Sequence, residues 1–262
     1  MPRTAKDNRL NANRPGGRIT KQLFEGLCHH FTNRFEKAMD VLCANSGKRF
    51  SERQAYGLFS QALCDMGEKR EPEFILTELP VRRNKRATGD TAPGRVDFLV
   101  SFRGLVLAIE LKLVARGLVG NKRNGSVELK RAWYGRERSG GDRGVVGQLA
   151  ALDFRTLFFK ALSDTSAAKK HLRPKKFPIL IVCYQRFHKT DIAIPLDQEG
   201  EVLKMAHAEV LKALNMVGVR KRPAFNAVQD ISPRARAAKM DGRSISIYGL
   251  GFFAGTPAFE KE

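Results

Sequence analysis

Residues 94 to 113, Gly-Arg-Val-Asp-Phe-Leu-Val-Ser-Phe-Arg-Gly-Leu-Val-Leu-Ala-Ile-Glu-Leu-Lys-Leu, constrain the chain more than any other stretch. β-Branched and aromatic residues crowd two arms on either side of Arg103-Gly104, and the glycine supplies the positive φ that a two-residue hairpin turn requires. With Arg103 and Gly104 at the turn, Phe102 faces Leu105 and every further pair is fixed. One face then carries Phe102/Leu105, Val100/Leu107, Phe98/Ile109 and Val96/Leu111, an uninterrupted apolar wall. The other carries Ser101/Val106, Leu99/Ala108, Asp97/Glu110 and Arg95/Lys112.

Asp97 therefore lies opposite Glu110, with Lys112 two residues further along on the same side. Opposed carboxylates repel and destabilise a ladder unless something lies between them. A divalent cation meets that need, because Mg²⁺ accepts hard oxygen ligands from one or two carboxylates and completes its shell with water. The competing reading is a solvent-facing strand edge on which the charges sit harmlessly. Leu99 and Ala108 on the same face imply partial burial and count against it.

Asp97, a gap of twelve residues, and Glu110-Leu111-Lys112 together resemble the Asp…Glu-x-Lys signature of the PD-(D/E)xK nuclease superfamily. Val96 stands where the family name places a proline, and Pro93 lies slightly upstream. The resemblance implies an α/β fold of restriction-endonuclease-like type: a central mixed β-sheet flanked by helices, here with N-terminal helices added. It also implies Mg²⁺ or Mn²⁺ held by Asp97, Glu110 and the backbone carbonyl of Leu111. Such a cation polarises a phosphoryl oxygen and lowers the pKa of a bound water. Lys112 would orient that water and offset charge building on the phosphate. Family members typically leave a 5′-phosphate. Whether Lys112 also takes the proton stays open.

Charge points to the same class of partner. The chain of 262 residues has 47 Lys and Arg against 27 Asp and Glu, a formal net charge of +20, and is 42% hydrophobic. It is long enough to bury a substantial core. Its cationic excess predicts salt-dependent binding to a polyanion, most simply nucleic acid, although a membrane surface or a ribosomal neighbourhood fits the charge alone. No apolar run reaches membrane-spanning length and no apolar signal region opens the chain, so a cytoplasmic protein is expected. Cys28, Cys43, Cys64 and Cys183 form no Cys-x-x-Cys pair, and three lie in apolar helical patterns; buried free thiols are expected. The histidines, His29-His30 included, lack ligand spacing for a structural metal site.

Residues 1 to 19, basic and broken at Pro15-Gly16-Gly17, read as a disordered arm, and 20 to 262 as a single nuclease-like domain. Its parts are two N-terminal helices over 20–67, a core over 73–185, and a C-terminal helix and strand over 201–253. Thr20 is the expected N-cap of the first helix, whose apolar residues run from Leu23 to Leu42. Ser51 and Gln54 make a capping box ahead of the second, with Gly67 as its stop. Family members sometimes lend an acid from such a helix; Glu52 is the only early one here and is not assigned to the site. Residues 73 to 83 read as a strand that Pro80 ends or places at an edge. Glu78 on it is either a third acid near Asp97 and Glu110 or an ordinary exposed residue.

Arg82, Arg83, Lys85 and Arg86 form a basic turn that is either solvated or in contact with phosphates. Residues 115 to 144 are weakly patterned, with Arg116, Lys122, Arg123, Lys130 and Arg131 around Trp133-Tyr134. Basic residues interleaved with aromatics suit a strand-gripping element, though Trp133 could instead anchor the loop to the core. Helical spacing resumes over 145 to 162, including Leu157 and Phe158, and Gln148 resembles a family glutamine that reaches back toward the site. Phe177 to Tyr184 reads as a buried central strand. Residues 201 to 217 read as a helix, 219 to 243 as irregular and basic, and 245 to 253 as a last strand at a sheet edge, weakened by Gly249 and Gly251.

The functional expectation is a metal-dependent nuclease acting on DNA, with a homodimer as a further option. The alternatives are a non-catalytic nucleic-acid-binding protein on a decayed nuclease fold and an RNA-associated basic protein.

Overall fold

The computed structural model describes residues 15–44, 51–66, 72–83, 94–114, 119–120, 127–128, 157–158, 175–187, 199–216, 223–238 and 245–255. The chain forms α1 (Pro15–Ala44), α2 (Glu52–Asp65), β1 (Phe74–Arg83), β2 (Gly94–Phe102) and β3 (Leu105–Val114). The two-residue strands β4 (Val119–Gly120), β5 (Val127–Glu128) and β6 (Leu157–Phe158) follow. After them come β7 (Lys175–Phe187), α3 (Glu199–Met216), β8 (Phe225–Asp230), α4 (Ser232–Ala238) and β9 (Ile245–Ala254). The fold is mixed α/β. A seven-stranded sheet has the order β6-β1-β2-β3-β7-β9-β8, and β4 pairs with β5 apart from it. The β3–β7 pair is parallel and the other pairs are antiparallel.

Helices cover both faces of the sheet. On one side Leu23, Phe24, Leu27, Phe31, Phe35 and Met39 of α1 join Ala55, Phe59, Ala62 and Leu63 of α2 and Ala235 of α4, over Phe98, Val100, Leu107, Ile109 and Leu111. On the other, Leu203, Ala206 and Val210 of α3 lie on Leu180, Val182, Tyr184 and Phe253. The unbroken apolar run of β7 follows from this layering, since alternate residues enter opposite cores. Burial of these side chains at about 25 cal/mol per Å² of apolar surface is the main force holding helices to sheet.

α1 begins earlier than periodicity suggests. Pro15 suits a first turn, where its missing N–H is not needed, and Ile19 and Thr20 reach the core. Thr20 is thus a buried helical residue rather than an N-cap, and the last residues of the expected arm are helix. The Ser51–Gln54 capping box forms as expected, with Gln54 N–H on Ser51 Oγ at 3.3 Å and Ser51 N–H on Gln54 Oε1 at 2.7 Å. Gly67 and the 1–14 portion of the arm lie outside the described residues.

Three readings of the second half are corrected. Leu157 and Phe158 are not helical; they pair with Arg83 and Arg82 as β6, so tertiary strand pairing overrides local spacing. The stretch read as irregular contains β8 and α4, short elements whose signals Pro223 and Pro233 obscure. Asp230 Oδ1 accepts Ser232 N–H at 2.9 Å and turns the chain into α4. Finally, β9 is interior, between β7 and β8. Its glycines admit neighbours. A Cβ on Gly251 would lie 2.5 Å from the Tyr184 ring, and one on Gly249 would lie 2.6 Å from Leu203. Cys28 and Cys183 are buried free thiols, whereas Cys64 is a free thiol on an exposed helix face.

Candidate functional site at the sheet fork

The hairpin turn forms at Arg103-Gly104, and both residues have positive φ, 51° and 73°. That is the backbone of a type I′ turn, whose twist matches the strands it joins. The expected register holds from Phe102/Leu105 to Phe98/Ile109. There the β2–β3 ladder stops. β2 continues on β1 as far as Val81/Gly94, and β3 continues on β7 as far as Val114/Val182. The sheet therefore forks at Asp97 and Glu110, and the expected Asp97/Glu110, Val96/Leu111 and Arg95/Lys112 pairs do not form.

A fork leaves the facing N–H groups of β3 without a strand partner, and buried donors of that kind must be satisfied another way. Two carboxylates do it. Asp97 Oδ2 accepts the N–H of Leu111 at 2.8 Å, and Glu52 Oε2 accepts the N–H of Leu113 at 3.3 Å. Glu52 arrives from the first turn of α2, where the positive end of the helix dipole favours an acid. A strand residue sends its C=O toward the same edge as its N–H, so the Leu111 carbonyl also faces the fork.

Tyr56, one turn along α2, holds Glu52. Its hydroxyl donates to Glu52 Oε1 at 3.3 Å, and its ring packs edge-on against Phe98 at 5.6 Å. Burial pushes the Tyr56 hydroxyl pKa well up, and the negative charge of Asp97, then of Glu52 and Glu110, adds to this. Glu52, Asp97 and Glu110 thus all act on one phenol. Asp97 is 8% exposed, and Oε2 of Glu110 is shut off from solvent.

Glu78 stands opposite Asp97 in the β1–β2 register but takes φ of 55°, a conformation that costs a non-glycine residue about 1–2 kcal/mol. Its exposed side chain turns away to Arg95, at 2.9 Å, so it does not join the acids. Across this point the strands exchange faces. Leu79 and Val96 pack with Leu99, Val106 and Ala108, not with Phe98 and Val100, so Val96 leaves the apolar wall to which simple alternation assigned it.

Of the expected metal-site residues, Asp97 is brought onto the Leu111 N–H, and Glu110 precedes Leu111 in β3. Glu52 and Tyr56 join them unassigned from sequence; the available signal was an acid at the first turn of a capped helix whose apolar face needs the Phe98 side of the sheet. Lys112 lies on β3 opposite Leu180, Arg82 and Arg83 lie on β1, and the placement of their side chains is outside the described residues. Gln148, Lys85, Arg86, Arg116, Lys122, Arg123, Lys130, Arg131 and Trp133 are outside them altogether. Among the described residues no three His, Cys, Asp or Glu side chains form a ready metal cage. The donor set is nonetheless of the right kind for Mg²⁺, which needs only one or two carboxylates beside water. Among the described residues no helix is long and apolar enough to cross a membrane.

Comparison of the chain with protein-family models, with curated proteins and with solved structures finds no match.

Proposed function

We propose that the chain is a metal-dependent phosphodiester hydrolase acting on DNA, built on a restriction-endonuclease-like core. The observation that supports the reading is the fork, where Asp97 and Glu52 take the N–H groups of Leu111 and Leu113, along the Glu110–Lys112 part of β3, in a chain of net charge +20. Acids are the minority charge here, and two of them from different elements are anchored beside Glu110's strand where the sheet opens. Asp97, Glu110 and the Leu111 carbonyl would hold Mg²⁺ or Mn²⁺, which when bound activates a water and polarises the phosphoryl oxygen. Lys112 would orient the water and balance charge on the phosphate. Arg82, Arg83, Lys85, Arg86, Arg116, Lys122, Arg123, Lys130, Arg131 and Trp133 would grip the nucleic acid, and Gln148 would approach the site from the 145–162 segment. Two copies acting together would suit duplex cutting. The surroundings would be cytoplasmic.

A second reading has an observation of its own. Asp97 and Glu52 already accept backbone N–H groups, which is what acids with a purely structural task would do. On that reading the chain binds DNA or RNA without cutting it. Cleavage assays on supercoiled, linear, single-stranded and branched DNA and on RNA, with and without Mn²⁺, decide between them. Asp97→Asn is the key control because it keeps an acceptor for the Leu111 N–H and removes only the charge. Metal-dependent cutting lost in Asp97→Asn and Lys112→Ala supports the hydrolase; binding without cutting on every substrate supports the second reading.

A further inference from the structure

Past Asp97 the two prongs of the fork diverge, β2 on β1 as far as Val81/Gly94 and β3 on β7 as far as Val114/Val182. Arg95 stands on the first prong, and its side chain is 70% exposed. It gives an N–H to Glu78 Oε2 at 2.9 Å, and a guanidinium has further donors to offer. Glu78 holds its end of the pair at φ of 55°, in mid-strand, where no turn demands it. That conformation costs a non-glycine residue more than an ion pair between exposed groups returns. Stability of the fold therefore does not account for the pair, and unforced strain of this kind points to function. Lys204 and Glu201 form a comparably exposed pair at 2.7 Å within α3, with no positive φ.

We propose that Arg95 is a phosphate-contact residue at the mouth of the fork, and that Glu78 is the internal anion that a DNA phosphate displaces from it. The inference rests on the DNA-binding part of the reading above, to which it adds a contact and a competitor. Strain at Glu78 subtracts from the pair, so the guanidinium is kept in place yet readily exchanged. A phosphate can take two N–H groups of one guanidinium at once, which favours the exchange. Arg95 is two residues from Asp97, about 7 Å along the same strand, so a phosphate held there borders the proposed cation.

The test is binding of the intact chain to a fluorescent DNA duplex, and to a single strand of the same length, over a KCl series without divalent metal. The effects are read on the form that wild type binds more tightly. The slope of log affinity against log salt reports how many phosphates the protein neutralises. Arg95→Ala should weaken binding severalfold and lower the slope by about one, and Arg95→Lys should restore the slope. Lys204→Ala, which removes the same charge from α3, should leave the slope unchanged. Glu78→Gln should tighten binding severalfold more than Glu201→Gln does, and that gain should vanish in the Arg95→Ala background. A wild-type slope in Arg95→Ala, or an equal loss in Lys204→Ala, would overturn the inference while leaving DNA binding standing. A gain from Glu78→Gln that survives Arg95→Ala is a general charge effect and also counts against the proposal. Absence of wild-type binding to both forms would overturn the reading beneath it as well.

Discussion

The two ends of one hairpin use the same chemistry for different purposes. At the turn end, Glu73 accepts the Gly104 N–H at 3.0 Å and the Ser101 hydroxyl at 2.6 Å, alone and in solvent. At the open end, Asp97 and Glu52 accept the N–H groups of Leu111 and Leu113, with the half-buried Tyr56 on Glu52. Each end also holds a non-glycine residue at positive φ. For Arg103 the I′ turn requires it, whereas for Glu78, in mid-strand, no turn does. A single exposed acid can close a hairpin without penalty. At the other end two acids from different elements are anchored on neighbouring N–H groups of the strand that carries Glu110, and the proposed cation would offset their charge.

The largest effect that would sharpen this contrast is catalytic. Asp97→Asn, Glu110→Gln and Lys112→Ala should each lower metal-dependent DNA cleavage by about 10³-fold or more, while Glu73→Gln at the turn end leaves the rate unchanged. Full activity in all three would remove the site. Next comes the structural part of Asp97. Asp97→Ala should be less stable than Asp97→Asn by about 1–3 kcal/mol in urea unfolding, because only the alanine strands the buried Leu111 N–H. Identical stabilities would mean that this hydrogen bond does not hold the fork together.

A smaller gain is expected from Glu78→Gly, about 0.5–1 kcal/mol in urea unfolding, since glycine accepts φ of 55° without strain. No gain would mean that the Arg95 contact outweighs the strain. The smallest effect is one of pH. The Ser101 hydroxyl and the Gly104 N–H hold the Glu73 carboxyl below its usual value of 4.5. A depressed folded-state pKa means that the unfolded chain binds the proton more readily. The contribution of Glu73 is therefore present above about 4.5 and is lost as pH falls through the lower folded value. Glu73→Gln should flatten the stability curve in that acidic window and nowhere else, as thermal unfolding across pH would report.

The closed half of the hairpin was legible because its causes are local. Arg103-Gly104 fixes the turn, and alternation from Phe98 to Ile109 does the rest. The fork was not, since alternation carries no mark where a ladder ends. It therefore assigned Val96 to the wrong face and placed Asp97 flatly across from Glu110, whereas Asp97 turns to the Leu111 N–H. Glu52 and Tyr56 needed the docking of α2 on Phe98, a tertiary fact. Gly249 and Gly251 were read as weakening β9 because sequence cannot show that Leu203 and Tyr184 lie against them. Leu157 and Phe158 kept helical spacing yet pair with β1, the familiar victory of long-range pairing over local pattern.

The most direct test of the fork as a cation site is thermal unfolding of wild type and Glu110→Gln, each with and without Mn²⁺. Glu110→Gln should melt higher than wild type without metal, because like-charge repulsion is relieved, and only wild type should gain from Mn²⁺. If Glu110→Gln melts lower without metal and Mn²⁺ shifts neither protein, the acids are structural and the cation site does not exist.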